Sequence, residues 1–305
     1  MPVVRIGGVE ARVVMSAAVR LTVVVPHGLP AGRLPVTVGG IEGWADLHVG
    51  APIATGIHQV DSPAIDATGC VYLTNSGPRG QRVEVSVSRV PPGGVKEDFL
   101  TDLVNATSMA FDPHGDLHVS SRHDGAVYRV RADRTLETVA SDLGVACGIA
   151  FARDGTLFVG DREGTIFRVG PARRVTPFAT LPASIAAFHL AMGPEDCLYA
   201  TAPTFGTYDH VYRIDRDGGV TIVSSAFGRP QGLAVDDLGQ VWVVDAVAGG
   251  SGLYRLREGR PREMVLSAAS LVGVALDPCG GLVISSSDTA YRLDVPVKPY
   301  STFQT

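Results

Sequence analysis

The chain has 305 residues, of which 45% are hydrophobic and 19% charged, with 36 Gly, 20 Pro and a formal net charge of −5. That is a folded, turn-rich composition with ample apolar material for a core, and it excludes a disordered chain. No lysine and arginine run gives the footprint of a nucleic-acid binder, and no apolar run approaches the roughly 20 residues of a membrane span.

The N-terminus, MPVVRIGGVEARVV, lacks a basic region followed by a clean apolar stretch, so no signal peptide is read and a cytoplasmic setting is expected. Residues 5–40 show alternating strands broken by PHGLPAG, a hairpin-rich pattern. This segment resembles the second half of an IPT/TIG domain, an immunoglobulin-like module, and residues 1–45 are read as a partial β segment of that kind. A lone hairpin is marginal in water, so its strands are expected to pack on the rest of the chain or on a protein partner.

From residue 46 to the end, one pattern recurs: an apolar strand, a turn, a second strand, a tip loop, and a third strand. The first two strands and their turn read SPAIDATGCVYLT (62–74), SMAFDPHGDLHVS (108–120), GIAFARDGTLFVG (148–160), HLAMGPEDCLYAT (189–201), GLAVDDLGQVWVV (232–244) and GVALDPCGGLVIS (273–285). The turns fall about 37–46 residues apart, the period of four-stranded propeller blades. In each Asp-x-x-Gly turn the Asp hydrogen-bonds its own backbone and the Gly supplies a positive φ. The third strands repeat a short word: SVSRV, GAVYRV, TIFRV, HVYRI, GLYRL and TAYRL. Its aromatic and its arginine point to opposite sheet faces. The aromatics Tyr128, Phe167, Tyr212, Tyr254 and Tyr291 are expected between blades. Their neighbours, Arg129 among them, are expected to lay their stems over a neighbouring blade and reach a turn carboxylate such as Asp112 or Asp236.

After TAYRLDV the last blade has only three strands before PVKPYSTFQT, and a fourth is available in DLHVGAPIATGI (46–57). The fold class is therefore all-β: a six-bladed β-propeller over 46–305, closed by a strand from its N-terminal end, behind the short hairpin segment.

In such a ring the loops before the inner strands and after the second strands converge on one channel mouth. The first set places Asp61, Thr107, Cys147, Phe188, Gln231 and Val272 there. The second set spans the tips 75–80, 121–125, 161–164, 201–210, 245–252 and 285–289. Asn75, Arg122, Asp161, Arg162, Gln231, Asp245 and Cys147 are the candidate ligand-binding residues. Two arginines in adjacent tips favour a small polar or anionic molecule. His189 stands where most blades place Gly or Ser, and with Asp61 it forms the candidate acid–base pair. Cys147 is either a nucleophile activated by a base or a small buried filler. Cys70 and Cys197 hold equivalent positions in opposite blades, too far apart to bridge. His114, His118 and His123 are read as surface residues.

The stretches GIAFARDGTLFVGD and PQGLAVDDLGQVWVVD make residues 46–295 resemble the six-bladed propellers of the gluconolactonase and regucalcin group and the related NHL repeats. The resemblance implies a lactonase-like hydrolase with a divalent cation, calcium or zinc, held by a Glu before the first inner strand, an Asn in the fourth blade and an Asp in the fifth. Those positions carry Asp61, Phe188 and Gln231 here. One carboxylate, one amide and a phenyl ring make a poor cage for a hard cation, so no metal held jointly by the three is expected. Two functions follow. One is a small-molecule site with lactonase or ester-hydrolase chemistry; the alternative is a non-catalytic NHL-type binding scaffold.

Overall fold

The computed structural model describes residues 2–43, 45–170, 172–246 and 250–300. Part of the 245–252 tip (247–249) and the last five residues, 301–305, lie outside the described residues.

Among the described residues the chain forms a β-propeller: six four-stranded antiparallel sheets and one five-stranded sheet. The blades follow one another in sequence. Their inner strands are Ala64–Ile65, Ala106–Phe111, Ala146–Phe151, His189–Met192, Pro230–Val235 and Leu271–Leu276. Each inner strand packs on the next, and the sixth packs on the first, so the ring is closed. Closure is completed by Ala51–Thr55, which pairs with Thr289–Leu293 as the outer strand of the sixth blade, with Thr55 opposite Thr289 and Ala51 opposite Arg292. Pro52 fits there because an outermost strand leaves one backbone edge unpaired.

The expected closing stretch, 46–57, is divided. Ala45–Val49 pairs with Gly32–Val38 in the five-stranded N-terminal sheet, and only the residues after Gly50 join the propeller. That N-terminal sheet buries Val4, Ile6 and Ala11 against partly buried Leu34, Val36 and Leu47. Val9, Val14, Met15 and Val24 remain exposed on it.

Hydrophobic clusters fill all six blade interfaces. Each carries apolar residues of two adjacent blades, as in Trp242 and Leu253 of the fifth against Leu276 and Ile284 of the sixth. Tyr128, Phe167, Tyr212, Tyr254 and Tyr291 all sit in or against these clusters, where alternation predicts them.

The repeated arginines depart from expectation. Most find partners within their own blade: Arg129 pairs with Asp116, Arg255 with Glu263 at 2.8 Å, and Arg292 with Asp277 at 2.7 Å. Among the described residues only Arg292 also crosses to its neighbour, donating to the Gly69 carbonyl at 3.1 Å. Asp112 and Asp236 are occupied otherwise, because each accepts N–H bonds from its own turn. The turn itself behaves as the sequence dictates, with Gly115 and Gly239 at φ of 86° and 76°. His118 is buried rather than on the surface, and its ring packs on Phe151 with centroids 4.7 Å apart. A second strand has a blade on each side, so both of its faces are covered.

The C-terminal segment does more than end the last blade. It runs back beneath the ring: the Asp237 N–H donates to Lys298 O at 3.0 Å and the Tyr300 N–H to Val235 O at 2.8 Å. Tyr300 packs against the clusters on either side of the fourth blade, and Arg153 of the third blade lies over its ring at 5.0 Å. This strap crosses the turn face, at the opposite end of the channel from the tips.

Candidate functional site

The inner strands approach one another closely at the axis. A Cβ built on Gly148 would lie 2.4 Å from Phe188 O and 2.8 Å from Leu190 N, so only glycine lets the third and fourth blades meet there. The channel is filled by a pair of side chains. His189, from the fourth blade, reaches across to Asp61 of the first, with Nδ1 donating to Oδ1 at 2.5 Å. The other ring nitrogen, Nε2, lies 3.3 Å from Gln231 Oε1 of the fifth blade. His189 is fully buried and Asp61 is 4% exposed. The Asp61 carboxylate accepts both from His189 and from the Ser62 N–H at 2.6 Å, which satisfies one of its oxygens twice.

Above this pair opens a cavity of about 470 Å³. Its floor is Thr107, Cys147, Gln231 and Val272, and its wall includes Val145 and Ile185–Ala187. Four arginines line it: Arg79, Arg122 and Arg162 from the tips of the first three blades, and Arg229 from the loop before the fifth inner strand. None of the four makes an ion pair among the described residues.

Neutral groups hold two of them in place. Arg162 donates to Ser184 O at 3.1 Å and Ile185 O at 2.8 Å, and Arg122 donates to Gly77 O at 3.1 Å. The Arg122 Nε is buried without a partner. Burial lowers the pKa of Arg122, and the guanidiniums of Arg79 and Arg162 push it the same way. At the rim, His58 is likewise lowered, by burial first and by Arg122 second. Behind burial, both shifts carry a contribution from neighbouring guanidiniums, on a chain whose net charge is negative.

The loops that carry the arginines are clamped from below. Asp161 accepts the Val145 N–H at 2.8 Å, and Asp245 accepts Gly228 N–H at 3.0 Å and Arg229 N–H at 2.7 Å. Both carboxylates are buried, so they orient loops and do not line the cavity. Asn75 also works locally: its Oδ1 accepts the His58 N–H at 3.3 Å and its Nδ2 donates to Ser88 Oγ at 3.0 Å. Of the candidate residues, the structure brings Arg122, Arg162, Gln231 and Cys147 together at the cavity, with His189 and Asp61 sealed beneath it. Burial pushes the Cys147 thiol up to about 11, so it is protonated at neutral pH and suits the floor rather than a nucleophile's role.

Two contributors escaped the sequence reading. Arg229 stands in RPQGLA, outside any tip, and the loop before an inner strand carries no repeated word to flag it. Asn105 grips the Arg79 tip, donating to Ser76 O at 2.5 Å and Pro78 O at 2.9 Å and accepting the Gly80 N–H at 2.7 Å. Its signal is a non-glycine residue at positive φ, 50°, which asparagine tolerates better than most.

No family model and no curated protein matches the chain. Among solved structures, the chain is similar to a gluconolactonase from Xanthomonas campestris, at 16% identity over 87% of this chain and 90% of that one, with a TM-score of 0.68. It is also similar to regucalcin, a calcium-binding protein from Agrobacterium tumefaciens, at 16% identity over 83% and 95%, TM-score 0.64. A third likeness is to an auxiliary nutrient binding protein from Bacteroides thetaiotaomicron, at 11% identity over 95% and 90%, TM-score 0.65. Likeness at these identities establishes the β-propeller fold.

The residues at the positions of the resembling enzymes' metal do not fit a cation. Asp61 is committed to His189, Phe188 is fully buried in the interface between the third and fourth blades, and Gln231 offers one amide. Among the described residues no group of three or more His, Cys, Asp or Glu side chains is arranged to hold a metal ion. Four guanidiniums above would repel a dication as well.

Proposed function

We propose that the protein is a small-molecule-binding propeller whose ligand is anionic and sits at the channel mouth. The observation that carries this reading is the set of four arginines, from four different segments, lining one cavity without a carboxylate among their partners. Guanidiniums gathered without counter-charge repel one another, an arrangement that costs stability unless an anion relieves it. Gln231 supports the same reading. It lines the cavity with a neutral amide, which carries N–H donors and brings no opposing charge.

Hydrolysis of a lactone or ester at the same mouth is the second reading, favoured by the position of Gln231 between the cavity and the buried His189–Asp61 pair. Chemistry through His189 would require Gln231 to move aside, because no atom of His189 meets solvent. A thermal-shift series of anionic and neutral metabolites, run on the parent and on Arg162→Gln at low and high salt, tests the proposal. Anions are expected to raise the melting temperature of the parent, less so at high salt and less in the variant. Equal stabilisation by neutral ligands, unchanged in the variant, would contradict it. Lactone turnover abolished in His189→Asn would establish the second reading instead.

A further inference from the structure

The charge and direction of the arginines narrow the ligand class, an inference that rests on the reading of the mouth as an anion site. Together the four bring four positive charges to a cavity that holds no compensating carboxylate, so a single negative charge leaves most of that potential unrelieved. The donors also come from separate directions around the ring, because they stand on the first, second, third and fifth blades. A planar carboxylate is saturated by two forks lying in its own plane, whereas a tetrahedral phosphate offers three terminal oxygens pointing apart.

The arginines divide into two kinds. Arg162 and Arg122 are tied to backbone carbonyls, and the buried, unpartnered Nε of Arg122 is a donor left without an acceptor. Arg79 and Arg229 are exposed and have no side-chain partner among the described residues, which leaves them free to close on what the fixed pair holds. The cavity, about 470 Å³, lies within the ordinary range for organic ligands and exceeds what a bare ion fills. We infer that the ligand is a phosphorylated small molecule, its phosphate dianion held among Arg79, Arg122, Arg162 and Arg229 and its organic body against Val145 and Ile185.

Calorimetric titration at low salt with four probes tests this: glucose 6-phosphate, inorganic phosphate, gluconate and citrate. The sugar phosphate is expected to bind at least tenfold more tightly than inorganic phosphate or gluconate, and more tightly than citrate despite citrate's greater charge. Arg122→Gln should weaken it by on the order of ten- to a hundredfold, as expected for loss of a charge-assisted hydrogen bond. Arg79→Gln, which removes an exposed side chain with no hydrogen bond or ion pair among the described residues, should weaken it as well, while Arg131→Gln on the outer surface should not. Inorganic phosphate binding as tightly as the ester would overturn the organic body. Gluconate or citrate binding as tightly as the sugar phosphate would overturn the phosphate assignment and leave the anionic mouth standing. Binding of every probe unchanged in both Arg79→Gln and Arg122→Gln, or no binding at millimolar concentrations, would overturn the phosphate and the mouth together.

Discussion

Removing the carboxylate of Asp61 should unfold the ring far more easily than its position on a loop suggests. Its Oδ1 is the acceptor for His189 Nδ1 at 2.5 Å and for the Ser62 N–H at 2.6 Å, and no water reaches His189 to replace it. Asp61→Ala therefore leaves two donors without an acceptor, each at about 1–3 kcal/mol, and one of them belongs to a side chain that bridges opposite blades. Breaking a buried pair by deleting one partner costs about 3–5 kcal/mol, which agrees with that sum. For a chain of this size the loss should lower the melting temperature by roughly 5–8 °C. Asp61→Asn keeps a carbonyl acceptor at the same place and should lose less than half as much. Differential scanning calorimetry of the two variants beside the parent measures both. An Asp61→Ala protein melting within 2 °C of the parent would mean that the channel pair does not hold the blades together.

Three further outcomes follow from the same structure. Deleting residues 1–49 should leave the propeller's melting temperature within a few degrees of the parent, whereas deleting 1–56 removes the outer strand of the sixth blade and should abolish the cooperative transition; equal melting of the two truncations would refute the closure. Tyr300→Ala should lower stability by about 2 kcal/mol, since it strips a half-buried ring from two blade interfaces and from beneath Arg153, and urea unfolding would show no change if the strap were idle. The third concerns Cys147, whose folded-state pKa is raised to about 11 from an ordinary value of 9.0. The unfolded state then releases its proton first, so stability is full below about pH 9 and falls by up to about 3 kcal/mol as pH rises towards 11. The pH slope of Cys147→Ala should be shallower than the parent's over that window, and identical slopes would contradict the burial of the thiol.

The fold was legible because its signals are local and repeated. Asp112 and Gly115 form a turn from chemistry contained in four residues, and Tyr128, Tyr212 and Tyr254 recur at a fixed place in the third strand, so alternation alone assigns their face. The missing strand at 51–55 could be inferred by counting strands, but its exact limits could not. Residues 45–49 carry the same alternation, and only tertiary pairing with Gly32–Val38 separates them. The site was half legible. Arg122 and Arg162 stand in matching tips and announce themselves. Arg229 and Asn105 lie in unrepeated connections, and their roles depend on which loops meet in space. The crossing of His189 to Asp61 spans 128 residues of sequence, and no local pattern encodes so long a reach. Asp161 and Asp245 were visible as polar residues near the mouth, yet whether a carboxylate faces a ligand or a backbone N–H depends on one strand-end rotamer.

The central claim is that the mouth of this propeller receives an anion between its arginines. Crystals soaked in selenate and measured at the selenium edge test it most directly, because selenate mimics phosphate in shape and scatters anomalously. The account predicts an anomalous peak within hydrogen-bond distance of Arg122 and Arg162, with the side chains of Arg79 or Arg229 turned towards it, and no such peak in crystals of Arg122→Gln. A mouth without selenate, beside peaks elsewhere on the surface or a calcium or zinc ion ligated by Asp61 in a parallel soak, would contradict it.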